Sequence, residues 1–174
     1  MRPITHPATR SAALNRCAAS LARLGQPKPL YECLDIQLAE VIGHKLFTVM
    51  VLDHDRGVAE RTYTNQPEAY PVHGCKPFGD LKEWGRHVLE GGQPFIGNNR
   101  DIIRKHFPDF AIIESLGCGA VINLPILYDG HVLGTLNLLH EEGYYQESDL
   151  EVAAPFAQLA IPACRDWAAA LTLV

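Results

Sequence analysis

LGCGAVINLPILYDGHVLGTLNLLH, residues 116–140, sets two apolar arms on either side of the break Tyr128-Asp129-Gly130-His131. Asp-Gly between alternating hydrophobics is a strong hairpin signal, because both residues tolerate the positive φ of a tight turn. Side chains along a strand alternate between faces, so the arms can be sorted. In the first arm Ala120, Ile122, Leu124 and Ile126 share one face, with Val121, Asn123 and Pro125 on the other. In the second, Val132, Gly134, Leu136 and Leu138 fall together, and Leu133, Thr135, Asn137 and Leu139 fall opposite. One face is wholly apolar and suits a layer of helices. The other sets Asn123, Thr135 and Asn137 among greasy neighbours, the composition of a small-molecule site.

Upstream of the hairpin, Leu46 to Leu52 is a continuous apolar, β-branched run suited to a central strand buried on both faces. Asp53 to Gly57 is a turn, and Val58 to Thr64 returns as a second strand. Two helices precede this pair. Leu14, Cys17, Ala18, Leu21 and Leu24 predict one over 11–24, and Leu30, Leu34, Leu38 and Val41 or Ile42 predict another after Pro29. Gln66 to Gly79 reads as a loop, Asp80 to Leu89 as a helix, Pro94 to Ile96 as a short strand and Asp101 to His106 as a short helix. A turn or helix through Ser115 then delivers the chain into the hairpin.

Downstream, Ser148 and Glu151 form a capping box that opens a long C-terminal helix. Leu150, Ala153, Ala157, Ala160, Cys164, Trp167 and Leu171 follow seven-residue spacing, apt for a partner helix, and Pro155 and Pro162 should bend it. Adjacent strands on short turns, with helices bunched at the two ends, predict an α+β fold on an antiparallel sheet. Residues 1–28 read as a tail and helix and residues 29–174 as the domain.

The 174 residues are 47% hydrophobic and 20% charged, enough for one domain with a real core. A net charge of -5 argues against a nucleic-acid footprint, and no apolar run is long enough to span a bilayer. Cys17, Cys33, Cys75, Cys118 and Cys164 are odd in number and widely spaced, with no C-x-x-C pair, so a disulfide framework is not expected. The eight histidines show no H-x-x-x-H or short spacing to a cysteine, and no metal or cofactor is expected. Residues 1–31 carry five basic residues and no acid, as organellar targeting peptides do. The helical spacing from Leu14 to Leu24 favours an amphipathic helix instead, and with it a cytoplasmic protein.

The strand pair over 46–64, the hairpin with Leu124-Pro125-Ile126 and Gly134-Thr135-Leu136-Asn137-Leu138, and the helix opening Tyr145 to Glu151 together resemble a GAF domain. The likeness covers about Pro29 to Ala170. It implies a central antiparallel sheet with the first and last helices on one face and a ligand cavity on the other, lidded by the middle segments. It also implies dimerisation through the terminal helices. Bilin attachment is not implied, because Cys118 is followed by Gly119 and Cys75 by Lys76. Free methionine-(R)-sulfoxide reductases share the fold, but the positions of their cavity carboxylates fall at Val121, Asn137 and Leu139 here, and no third cysteine lies between Cys75 and Cys118.

The candidate ligand-binding residues are Tyr63, Tyr70, Trp84, His87 and Phe95 from the roofing segments, with Cys118, Val121, Asn123, Thr135 and Asn137 from the hairpin. Each aromatic has core packing as its plain alternative. Buried strand amides need hydrogen-bond partners, either backbone groups in a structural role or, as expected here, a ligand or water. Cys118 between two glycines is a turn filler or a reactive thiol; Cys75, near His73 and Lys76, is a passive loop residue or a thiol of lowered pKa. The cluster Arg100, Arg104, Lys105 and His106 could attract an anionic ligand, but mixed with Asp101 and Asp109 it reads as an exposed helix face. The leading expectation is a homodimeric binding protein for a small organic metabolite, with no nucleic-acid or membrane partner. The alternatives are a reductase working through Cys75 and Cys118, and an interaction module acting on a separate partner.

Overall fold

The computed structural model describes residues 6–78 and 83–171. Six strands form one sheet: β1 (Leu46–Asp53), β2 (Val58–Thr64), β3 (Cys75–Pro77), β4 (Phe95–Gly97), β5 (Ala120–Tyr128) and β6 (His131–His140). Their order is β3-β2-β1-β6-β5-β4, and every neighbouring pair is antiparallel. At the β5–β6 hairpin Asp129 and Gly130 take φ of 50° and 75°, the turn that the Asp-Gly pair favours. The α+β architecture is as the alternation predicts. β3 is an addition: three residues ending in a proline carry no alternation signal, and they reach strand geometry only by pairing with the edge of β2.

Four helices cover one face: α1 (Pro7–Ser20), α2 (Lys28–Val41), α6 (Glu147–Gln158) and α7 (Ile161–Leu171). They share one buried core with Phe47, Val49 and Val51 of β1, Ile122 and Leu124 of β5, and Leu136 and Leu138 of β6. α1 starts four residues before the expected position, because Pro7 suits a first helical turn whose amides lack partners anyway. It also ends early, leaving Leu24 97% exposed and outside the predicted stripe. Ala13 and Cys17 are fully buried, so α1 is part of the same core as residues 29 onward. α2 buries Leu30, Leu34, Leu38 and Val41 as predicted.

The C-terminal helix differs in two ways. Its cap is Gln146 with Asp149, two residues before the predicted Ser148 and Glu151. It also divides into α6 and α7 just before Pro162, whose missing amide cannot bond back to the preceding turn. Ala153, Ala157, Ala160 and Cys164 of the predicted seam are at most 1% exposed, all of them consumed by the chain's own core. They are therefore not available to a partner helix.

On the opposite face lie α3 (Glu83–Gly85), which runs into a π-turn over Arg86–Glu90, α4 (Arg100–His106) and α5 (Phe110–Ser115). The Asp80 start expected for the first of these lies outside the described residues. Asn99 caps α4 through its side-chain oxygen, which accepts from the Ile102 amide at 2.9 Å. Among the described residues no helix is long and apolar enough to cross a membrane.

Two bulges revise the face assignment. The β5–β6 register slips between Ile126 and Leu127, which leaves Leu133 as the extra residue on β6. From Gly134 onward the predicted alternation holds. Before it the faces exchange: Val132 joins Met50, Leu52 and Ala59 on the cavity side, and Leu133 packs on the helix-side core. In β2 the register against β1 slips at Thr62, so Arg61 faces the cavity layer and Tyr63 the helices.

Candidate functional site

The cavity begins as a row of directly opposed residues on neighbouring strands. Thr48 on β1 faces Asn137 on β6, which faces Asn123 on β5. All three are at most 5% exposed, so their polar groups must be satisfied internally. A one-way relay does so. The Trp84 indole Nε1 donates to Asn123 Oδ1 at 2.9 Å, Asn123 Nδ2 to Asn137 Oδ1 at 2.7 Å, and Asn137 Nδ2 to Thr48 Oγ1 at 3.1 Å. The amides thus bond to each other and to the roof, where a ligand or water was expected. Among the described residues this leaves the Thr48 hydroxyl hydrogen and the Thr135 hydroxyl to meet an occupant.

Above this floor is a cavity of about 170 Å³. Its walls are apolar: Trp84 and Phe107 meet edge to face at 5.6 Å, and Met50, Ile113, Val121 and Leu139 complete them. Polar groups converge at the rim, where Tyr70, Lys76 and His106 line the opening. Lys76 Nζ lies 2.9 Å from both carboxylate oxygens of Asp109, and the Tyr70 hydroxyl donates to the same carboxylate. The Arg61 guanidinium lies over the Tyr70 ring, 3.5 Å from its centroid, with Nη2 at 4.0 Å from Asp109.

Burial alone would raise the Asp109 carboxyl. The Lys76 ammonium and the Tyr70 hydroxyl outweigh it and hold the group below its ordinary value. Burial, with the nearby Arg61 charge, lowers the Lys76 ammonium despite Asp109, and burial pushes the Tyr70 hydroxyl well up. His106 is lowered by burial and by neighbouring Lys105, so its imidazole is neutral at neutral pH.

Of the ten candidate residues, Tyr70, Trp84, Val121, Asn123, Thr135 and Asn137 line this cavity together. Four lie elsewhere. Tyr63 is turned to the helix side by the Thr62 bulge, where its hydroxyl donates to Asp35 at 3.0 Å. His87 is exposed, with Nε2 at 2.9 Å from the Pro94 carbonyl. Phe95 opposes Asn123 across β4–β5, but its ring packs edge-on to His106, behind the wall. Cys118 is fully buried in the layer beneath α5, and that burial pushes its thiol up to about 11. Cys75 sits exposed on β3 with Sγ 3.9 Å from a Glu60 oxygen, off the cavity wall. Neither thiol proposed for a reductase therefore lines the cavity.

Sequence reasoning missed Thr48, Lys76, His106 and Phe107. A threonine inside an otherwise apolar strand was a readable signal for the first. Lys76 had none, since a loop lysine resembles any solvated surface, and His106 had only its place in a basic cluster that reads mainly as an exposed helix face. The rest of the 100–106 run does behave as a solvated face, with Arg104 paired to Glu114 and Lys105 to Glu83.

The sheet order, the helix layer and the cavity opposite it agree with a match over residues 32–163 to the GAF domain family, and the chain belongs to that family. GAF domains are small-molecule sensory and regulatory modules. No curated protein matches the sequence. Among solved structures, the GAF domain of a phosphoenolpyruvate-protein phosphotransferase from Coxiella burnetii is similar at a TM-score of 0.75 and 16% identity, over 98% of this chain and 100% of that one. A GAF domain of the Acinetobacter phosphotransferase reaches 0.71 at 12% identity, covering 92% and 95%. The free methionine-R-sulfoxide reductase of Neisseria meningitidis reaches 0.69 at 15% identity, covering 94% and 96%. At such identities the likeness is one of fold.

Proposed function

We propose that this GAF domain binds one small organic metabolite in the cavity between the sheet and the roof formed by residues 66–78 and 83–115, and that occupancy is its signal. The observation that carries this reading is the mostly apolar cavity of about 170 Å³ over a pre-ordered polar floor. Dry cavities of about 150 Å³ accept benzene, so the occupant is a molecule of roughly that size. The relay from Trp84 to Thr48 holds the floor in place, so binding need not pay to order it. Five free cysteines favour a reducing, cytoplasmic setting.

Native mass spectrometry of the full chain purified from cells, compared with a Val121→Phe variant, tests the proposal. Val121 lines the cavity, and a phenyl ring there fills the space without adding charge. The expected result is a small bound mass on the wild type that is absent from the variant. An identical bound fraction on both would place any ligand elsewhere and overturn the reading.

A further inference from the structure

Among the described residues the charges beside the cavity do not cancel: Arg61 and Lys76 supply two positive charges and Asp109 one negative. Arg61 is 5% exposed, and its Nε is buried without a hydrogen-bond partner. Lys76 has three-quarters of its side chain covered. Among the described residues no carboxylate lines the cavity, whereas Lys76 does. An uncompensated charge in such a place is costly unless something anionic joins it.

The geometry leaves room for that anion. Lys76 Nζ stands 5.5 Å from the Phe107 ring centroid and 5.8 Å from that of Tyr70, boxed by aromatic faces with Asp109 on one side. An ammonium has three donors, and Asp109 does not exhaust them. His106 lines the same rim and makes no hydrogen bond among the described residues, so its ring offers a second donor. Below these two groups the space is bounded by Trp84, Phe107 and Val121.

Resting on the binding function above, we propose that the ligand is a small organic monoanion, a carboxylate on an apolar body of benzene size. Its acid group docks between Lys76 and His106, and its body lies against Trp84 and Phe107. Asp109 is its competitor: the carboxylate already beside Lys76 occupies part of the ammonium's capacity and weakens the site's field. A cationic ligand of the same shape meets Lys76 and is repelled. A neutral one gains the apolar contact alone.

Benzoate, benzamide and benzylamine, titrated into the full chain and followed by the indole N–H resonance of Trp84, test the assignment. Benzoate should shift that resonance saturably and bind at least about tenfold tighter than benzamide, a difference of about 1.4 kcal/mol. Benzylamine should not compete. Lys76→Met should erase the preference for the acid, and Asp109→Asn should tighten benzoate, an effect of opposite sign that no general loss of folding would produce. Benzamide or benzylamine binding as well as benzoate, or a preference that survives Lys76→Met, would overturn the anion assignment while leaving the cavity's role intact. If no probe moves Trp84 in the wild type the anion assignment fails; if the probes bind the Val121→Phe variant as tightly as the wild type, the cavity reading itself fails and this inference with it.

Discussion

Asn137 is the residue on which the floor turns, since it both accepts from Asn123 and donates to Thr48. Asn137→Leu keeps the branched shape, with somewhat greater bulk, and strands both neighbours in a dry place. Denaturant unfolding should show a loss of about 1–3 kcal/mol. Adding Asn123→Leu should cost less than the sum of the two single changes, because the second substitution removes a group already left unsatisfied. Additive losses would mean that the two amides do not act as one unit. Asp109 makes a separate prediction about pH. Its carboxyl is depressed in the folded protein, so the stability it supplies is complete above its unfolded value of about 3.9 and disappears as pH falls through the folded value. Stability measured from about pH 5 to pH 2 should therefore fall less steeply in Asp109→Asn than in the wild type.

Among the elements, the strands that position the site depend on close approach as much as on hydrophobic pattern. Gly134 lies where β6 meets β1 at Val51, and a Cβ built there would land on the Met50 carbonyl oxygen. Gly134→Ala has no flexible side chain to push aside, so it must spread the two central strands. Thermal or denaturant unfolding should register a loss of about 1–3 kcal/mol or more. Stability unchanged within error would show that β1 and β6 can separate freely at this point. Pattern alone located these strands correctly: the apolar run over 46–52 and the two arms of 116–140 each became a strand. It misplaced Tyr63, Val132 and Leu133, because a bulge adds one residue to a two-residue period and exchanges every face beyond it. The bulge at Thr62 is also what turns Arg61 toward Tyr70.

For the whole molecule, the two sides of the sheet are built differently. The helix side is one continuous apolar core that includes α1, α2, α6 and α7. The cavity side is roofed by short helices and loops joined through Asp109, Trp84 and a few packed rings. Local opening costs least where few apolar contacts must break. Native-state hydrogen exchange should therefore find the slowest amides in β1, β5 and β6 and faster exchange across α3, α4 and α5, with the roof slowing when the cavity is filled. Uniform protection on both sides would contradict this division of labour.

By itself the sequence determined the sheet, the hairpin and the layer of terminal helices, because burial imposes periods of two and 3.6 that can be read along a line of residues. It also marked Asn123, Thr135 and Asn137 as unusual, because polar groups on an apolar face stand out locally. The tertiary structure alone decided that the two amides satisfy each other and that Lys76 and His106 line one cavity. It also decided that the small-residue seam after Leu150 is spent inside the chain. Each of those outcomes depends on which distant segments come into contact, through hydrogen bonds and charges that act over a few ångströms and leave no period in the sequence.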